Sequence, residues 1–301
     1  MEENRRQEGS AKIDAKLTNT SFRVGATLGK IVRVWSDKFL PLAALGFVQA
    51  SGSLLLVLTD RHSNISVTSN IFVNFLNALA GLEFSVTSVT LSLGMLLSWP
   101  LHAIGLSASL ILLERRKINA IDALRAAWPT LWRLMVALLL IDAVFIVIMS
   151  PMHASVGSKW FPREIILWAK DGGGYAITLL LGLVSIVVGP AMLCRWVAVF
   201  PVVVFEGLDG VNAISRSTQL AGNHMTSIFT VGLVYLVVTS LLSKSTGLLR
   251  SLTGSDLAGS MTFVAIESMV TLPLLAVLFY VIYEHLVDNH LPEGGFKERS
   301  V

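Results

Sequence analysis

Cysteine is almost absent from this chain: Cys194 is the single one among 301 residues. One thiol cannot form an intramolecular disulfide, so the sequence holds neither a cross-linked ectodomain nor a thiolate metal cage. Charge is scarce as well, at 14% of residues against 53% hydrophobic. With a mean hydropathy of +0.69, that composition lies far outside the range of soluble domains, and the medium it suits is lipid.

Catalytic signatures are also lacking. The six histidines (His62, His102, His153, His224, His285, His290) are scattered and show no His-Glu-x-x-His or other metal spacing, so neither a metal nor a cofactor is expected. There is no Gly-x-Ser-x-Gly elbow. Gly172-Gly173-Gly174 lacks the Lys-Ser/Thr of a phosphate loop and reads as a hinge. A net charge of +3 raises nucleic acid as a partner, but the basic residues cluster beside apolar runs, as membrane topology requires. The expected partner is membrane lipid, together with a second copy or another membrane protein, and no nucleic acid.

What is present is a succession of apolar runs. Residues 1–16 form a polar tail without the apolar core of a signal peptide. Over residues 20–38, Phe22, Leu28, Ile31, Val32 and Trp35 fall near one helical face and Arg23, Lys30, Arg33 and Lys38 remain for the other, which describes an interfacial helix. Residues 39–58 carry no charge and are long enough to cross about 30 Å of hydrocarbon. Residues 71–82 are too short to cross and suit a re-entrant or surface helix. Spans follow over 86–113 with Pro100, 134–149, 176–205 with Pro190 and Pro201, 228–242 and 262–283. Between them, Trp160, Phe161 and Trp168 read as an aromatic belt around the amphipathic segment 162–170.

Cationic short loops prefer the cytoplasm, and seventeen lysines and arginines fall on the side of the N-terminal tail against six on the other. Both termini are therefore expected in the cytoplasm of a multi-pass protein of the cytoplasmic (inner) membrane. The expected domain layout is a tail and interfacial helix over 1–38, a transmembrane bundle over 39–285 and a C-terminal tail over 286–301. The two overlong spans align at an offset of about ninety residues, Pro100 with Pro190 and Ala123-Leu124 with Ala213-Ile214, giving repeat copies at about 86–149 and 176–242. Copies of one orientation occur in transporters, and duplication of a stable helical hairpin leaves the same pattern. The fold class is thus an all-α polytopic membrane bundle of about six transmembrane helices, with a parallel internal repeat and amphipathic interfacial helices.

The junction between residues 200 and 222 joins the two longest apolar runs, and Val211, Ile214, Ala221, Met225 and Ile228 recur there at roughly helical spacing. Its residues Pro201, Glu206-Gly207, Ala213-Ile214, Arg216-Ser217, Leu220 and Gly222 resemble the membrane domain associated with glycerophosphoryl diester phosphodiesterases and its stand-alone multi-pass relatives. That resemblance implies a membrane module acting in envelope or lipid homeostasis or as a scaffold. It does not imply hydrolysis, since the His-Arg-Gly and Glu-x-Asp constellation of the phosphodiesterase is missing, and an enzyme is not expected. The alternative is a transporter or permease subunit moving a small solute or lipid.

Charges inside spans mark the remaining candidate site. Asp142, Arg195 and Glu267 sit in apolar runs and His102 follows a proline, each costing at least about 2.5 kcal/mol if left facing lipid. Counted from the cytoplasmic ends, Asp142 and Arg195 lie about 13 and 16 Å deep, which suits a pair between the repeat copies. Glu267, entering from the other face at roughly 9 Å, matches less well. The open alternative is that Arg195 snorkels to headgroups and Asp142 bonds a hydroxyl.

Overall fold

The computed structural model describes residues 22–59, 86–115, 117–156, 172–253 and 257–290. Every regular element among them is helical. An apolar chain without water to satisfy its backbone must close its hydrogen bonds within each segment, and a helix does so. The tail before residue 17, the stretch 71–82, the loop with Trp160, Phe161 and Trp168, and the C-terminal tail from residue 291 lie outside the described residues.

Helix α1 (Val24–Asp37) buries Thr27 and Ile31 and exposes Lys30 and Arg33; Phe22 just before it is buried too, but Val32, expected on the apolar face, is 63% exposed. Lys38 separates it from α2 (Phe39–Thr59) and sends its ammonium to the carbonyls of Leu112 and Leu113, the last turn of α3 (Val86–Glu114). Those carbonyls have no partner within the helix, and a cation there also meets the negative end of the helix dipole. Pro100 is accommodated inside α3.

Helices α2, α3 and α9 (Leu257–His290) form the tightest group. A Cβ on Gly46 would stand 2.7 Å from Pro273 Cγ and 3.1 Å from Met269 Cα, so glycine is what lets α2 approach α9. Gly105 gives the same room to Gln49, whose Nε2 donates to Ser109 Oγ at 3.5 Å. Gln49, His102, Ser109, Ser268 and Thr271 are all buried in this group.

Two hairpins complete the bundle. After α3 the chain turns into α4 (Ala120–Ala127), a 3-10 turn (Trp128–Thr130) and α5 (Leu131–Val156). Asn119 caps α4 by accepting the Asp122 N–H at 2.8 Å, and the buried Ala123 and Ala127, one turn apart, bring α4 close against α3. Ser107 and Thr130 hydroxyls, 2.6 Å apart, tie the end of the turn to α3. In the second hairpin α6 (Gly172–Trp196) leads through a broken segment to α7 (Gly210–Ala221), a 3-10 turn (Gly222–His224) and α8 (Met225–Thr253). Asp209 caps α7 by accepting the Asn212 N–H at 3.2 Å.

Among the described residues, four helical stretches, Ala120–Ile141, Leu180–Glu206, Gly210–Ser245 and Ala265–Asp288, are long and apolar enough to cross a membrane. Burial is distributed unevenly along the molecule. The last turns of α9, including Val281, Ile282 and Leu286, are buried among α1, α3 and the hairpin junctions. Along α6 and α8, by contrast, Leu180, Leu183, Val187, Leu233, Val237 and Leu241 are exposed. Among the described side chains, the buried core therefore centres on α2, α3 and the last turns of α9. Elsewhere the apolar surface faces outward, as hydrocarbon would require.

Candidate functional site

The segment between α6 and α7 departs most from regular helix. Sequence spacing makes residues 176–205 one span, yet α6 ends at Trp196 and the chain resumes as a short turn, Val199–Pro201, and a π-helical stretch, Val202–Glu206. Pro201 supplies the reason. It has no N–H for the Val197 carbonyl four residues earlier and its ring crowds that group, which breaks the helix at Val197 and Ala198.

Ser217 on α7 repairs the break. Its Oγ accepts the Ala198 N–H at 3.1 Å and donates to the Arg195 carbonyl at 2.8 Å, so both sides of the interruption are satisfied by one buried hydroxyl. This contact also brings α7 back to the level of Arg195, and the fully buried Ala213, one turn earlier on α7, lies on the same face as Ser217. The π stretch ends at Gly207, whose φ of 68° is the left-handed conformation that glycine adopts without a Cβ penalty. Arg133 of α5 donates to the Gly207 carbonyl at 2.9 Å, and Gly210 lets α7 approach the backbone of Ala137.

Glu206 is the electrostatic centre of the junction. Its Oε2 receives Arg216 Nε at 3.2 Å and its Oε1 receives the Tyr283 hydroxyl of α9 at 3.1 Å. Phe205 stacks at a tilt on Tyr283, with ring centroids 5.5 Å apart, and meets Tyr280 edge-on. Both carboxylate oxygens thus serve in holding α7 and α9 to the π stretch. A second tie lies nearby on α9, where Glu284 pairs with Lys30 of α1 at 2.9 Å.

The structure therefore gathers Pro201, Glu206, Gly207, Ala213, Arg216 and Ser217 at one junction, while Gly222 lies at its exposed end. The intramembrane candidates are placed differently. His102 is buried in α3, Glu267 is half-buried in α9, and Arg195 is exposed in the last turn of α6. Arg195 shares its level with α7, whose outward residues Asn212, Ser215 and Gln219 are polar and exposed. The Asp142 side chain, and with it the pairing to Arg195, lies outside the described residues. Among the described residues no group of His, Cys, Asp and Glu is arranged to hold a metal ion. Sequence spacing missed Tyr283, Arg133 and Lys38, which reach the junctions from 74 to 77 residues away. Their only local signal is a polar side chain within a turn or two of the end of an apolar run.

No family model, curated protein or solved structure matches the chain.

Proposed function

We propose that the chain is a non-catalytic, multi-pass protein of the cytoplasmic membrane, with six crossing helices and both termini in the cytoplasm, acting in envelope or lipid homeostasis. The observation that carries this reading is that the polar groups of the 201–222 motif are used up in holding the chain together. Glu206 is engaged at both oxygens, Ser217 spans a helix break, and Asp209 caps a helix. A motif spent on architecture fits the membrane module associated with glycerophosphoryl diester phosphodiesterases better than it fits a hydrolase. The lengths of α2 and α3, 21 and 29 residues, support crossings at these two helices in addition to the four most apolar stretches.

The same element order in both hairpins supports an internal repeat. Each has a long helix with an internal proline, a short helix with an Asn or Asp cap, a three-residue 3-10 turn and a second long helix. Ala123 and Ala213, ninety residues apart, are both fully buried. The transporter reading draws support from the buried polar side chains between α2, α3 and α9, and solute flux in vesicles is its test.

Reporter fusions test the topology. Fusions after Lys117, Asp209 and Val301 are expected to report cytoplasm, and those after Arg61, Gly173 and Ser255 the opposite side. A cytoplasmic signal at Gly173 removes the six-span reading. Proteins retained on purification in mild detergent then separate the lone lipid-associated module from a permease subunit, which would bring an ATPase with it.

A further inference from the structure

The outer face of the first hairpin carries side chains that the bundle itself does not use. Trp128 and Trp132, one turn apart where α4 passes into α5, are 67% and 72% exposed, and the Arg125 side chain is 80% exposed. Ile121 and Leu139 continue the same outward row at either end. The backbone stays right-handed helical from Ala127 through Leu131, so these positions, spaced by four, three, four and seven residues, remain on one face. The row is also rigidly presented. Buried Ala123 and Ala127 bring α4 close to α3, and the Ser107 to Thr130 contact secures the elbow.

From Leu139 to Arg125 the row grows more polar. Leu139 suits hydrocarbon, the two indoles suit the headgroup zone where an apolar ring meets a polar N–H, and Arg125 suits the phosphate level above them. Arg125 is available for such a ligand. Its neighbour Asp122 stands 3.6 Å away and is itself more than half exposed, a surface pair worth at most about 1 kcal/mol. The guanidinium fork matches a phosphate in geometry and charge. Exposed Arg115 and Lys117 sit just before α4 and outnumber the one acid beside them, Glu114.

The second hairpin serves as an internal control. It has the same elements, yet the positions corresponding to Arg125, Trp128 and Trp132 are Ser215, Thr218 and Gly222 at the ninety-residue offset, or Gln219, Gly222 and Thr226 when the 3-10 turns are aligned, with no indole and no cation either way. An aromatic belt needed merely to seat a hairpin in the membrane would be needed by both.

We infer that Arg125, Trp128 and Trp132 form a binding site for an anionic phospholipid headgroup of the cytoplasmic leaflet. The site rests on the multi-pass reading given above and names the lipid class that the module engages.

Tryptophan emission of the full chain, reconstituted with phospholipids brominated on their acyl chains, tests it. Brominated phosphatidylglycerol in a phosphatidylcholine background is expected to quench at lower mole fraction than brominated phosphatidylcholine does. Trp128→Phe with Trp132→Phe removes the part of the quenching that depends on the anionic headgroup, while the other five tryptophans keep theirs. Arg125→Gln lowers the preference for the anionic lipid about fivefold, the share of one surface cation, while Gln219→Ala in the second hairpin leaves it unchanged. Retained phosphatidylglycerol, measured by mass spectrometry on protein purified in mild detergent, should fall in parallel, and Arg125→Lys keeps the charge as a folding control. Equal quenching by both lipids reduces the row to a generic belt and overturns the site. Absence of quenching by either places the indoles in water, as a surface for a protein partner, and overturns it too. A cytoplasmic reporter signal at Gly173 would instead remove the spanning reading, independently of any lipid preference.

Discussion

At the first junction α3 stops at Glu114 and the chain turns; at the second, α6 breaks at Val197 and continues as a distorted helix to Gly207. The two are built from the same parts, yet they are stabilised differently. The first relies on apolar contact, with Ala123 and Ala127 near α3, on the Ser107 to Thr130 hydroxyl contact and on Lys38 capping the last carbonyls of α3. The second needs Ser217, Arg216, Arg133 and Tyr283, all polar. The difference traces to where proline falls. Pro100 and Pro190 sit within helices that continue past them, whereas Pro201 lies at the exit, where the Ala198 N–H and the Arg195 carbonyl find their partner on another helix. The hairpin that breaks late therefore carries the hydrogen-bonding motif.

The largest expected effect separates the two junctions directly. Ser217→Ala leaves the Ala198 N–H and Arg195 carbonyl unmatched and should cost about 2 to 3 kcal/mol, read from reversible unfolding in mixed micelles. Ser107→Ala in the first hairpin should cost about 0.5 kcal/mol, because Thr130 keeps its bond to the Ala127 carbonyl. Equal losses would erase the distinction. Next in size is the tie to α9: Tyr283→Phe should cost about 1 kcal/mol and Glu206→Gln a similar amount, since the Arg216 pair is partly exposed and screened. The double variant should cost less than the sum, and strict additivity in the same unfolding measurement would mean that the two groups do not act together. The smallest difference is expected at the caps. Asn119→Ala and Asp209→Ala should each cost about 1 kcal/mol, because both side chains accept the N–H three residues on. A loss at only one of them would show that the shared hairpin plan does not extend to its first turn.

Much of this architecture was legible in the sequence because length and apolarity dictate helices in lipid. The charge-free run 39–58 is α2 to within one residue, and the run 86–113 is α3 to the same margin. Ala123 and Ala213, aligned in the sequence, are both fully buried. The break inside 176–205 was not legible, since five prolines (Pro41, Pro100, Pro190, Pro201 and Pro273) stand in long apolar runs and only Pro201 ends a helix. Nor was the use of Glu206, whose two partners lie ten residues along and on the last helix. Tertiary partners of a single carboxylate leave no periodic trace.

The seating of Pro273 against Gly46 has a consequence for the order in which the protein is made. Helix α2 leaves the ribosome more than two hundred residues ahead of the part of α9 that it packs against, which at typical elongation rates is an interval on the order of 10 to 40 s. During that interval α2 is an apolar helix without its final neighbour and with a buried-type amide, Gln49, in its middle. The Ser109 hydroxyl of α3 meets that amide early, so the second helix shelters the first until the last one arrives. Helix α9 then docks onto a helix made more than two hundred residues before it.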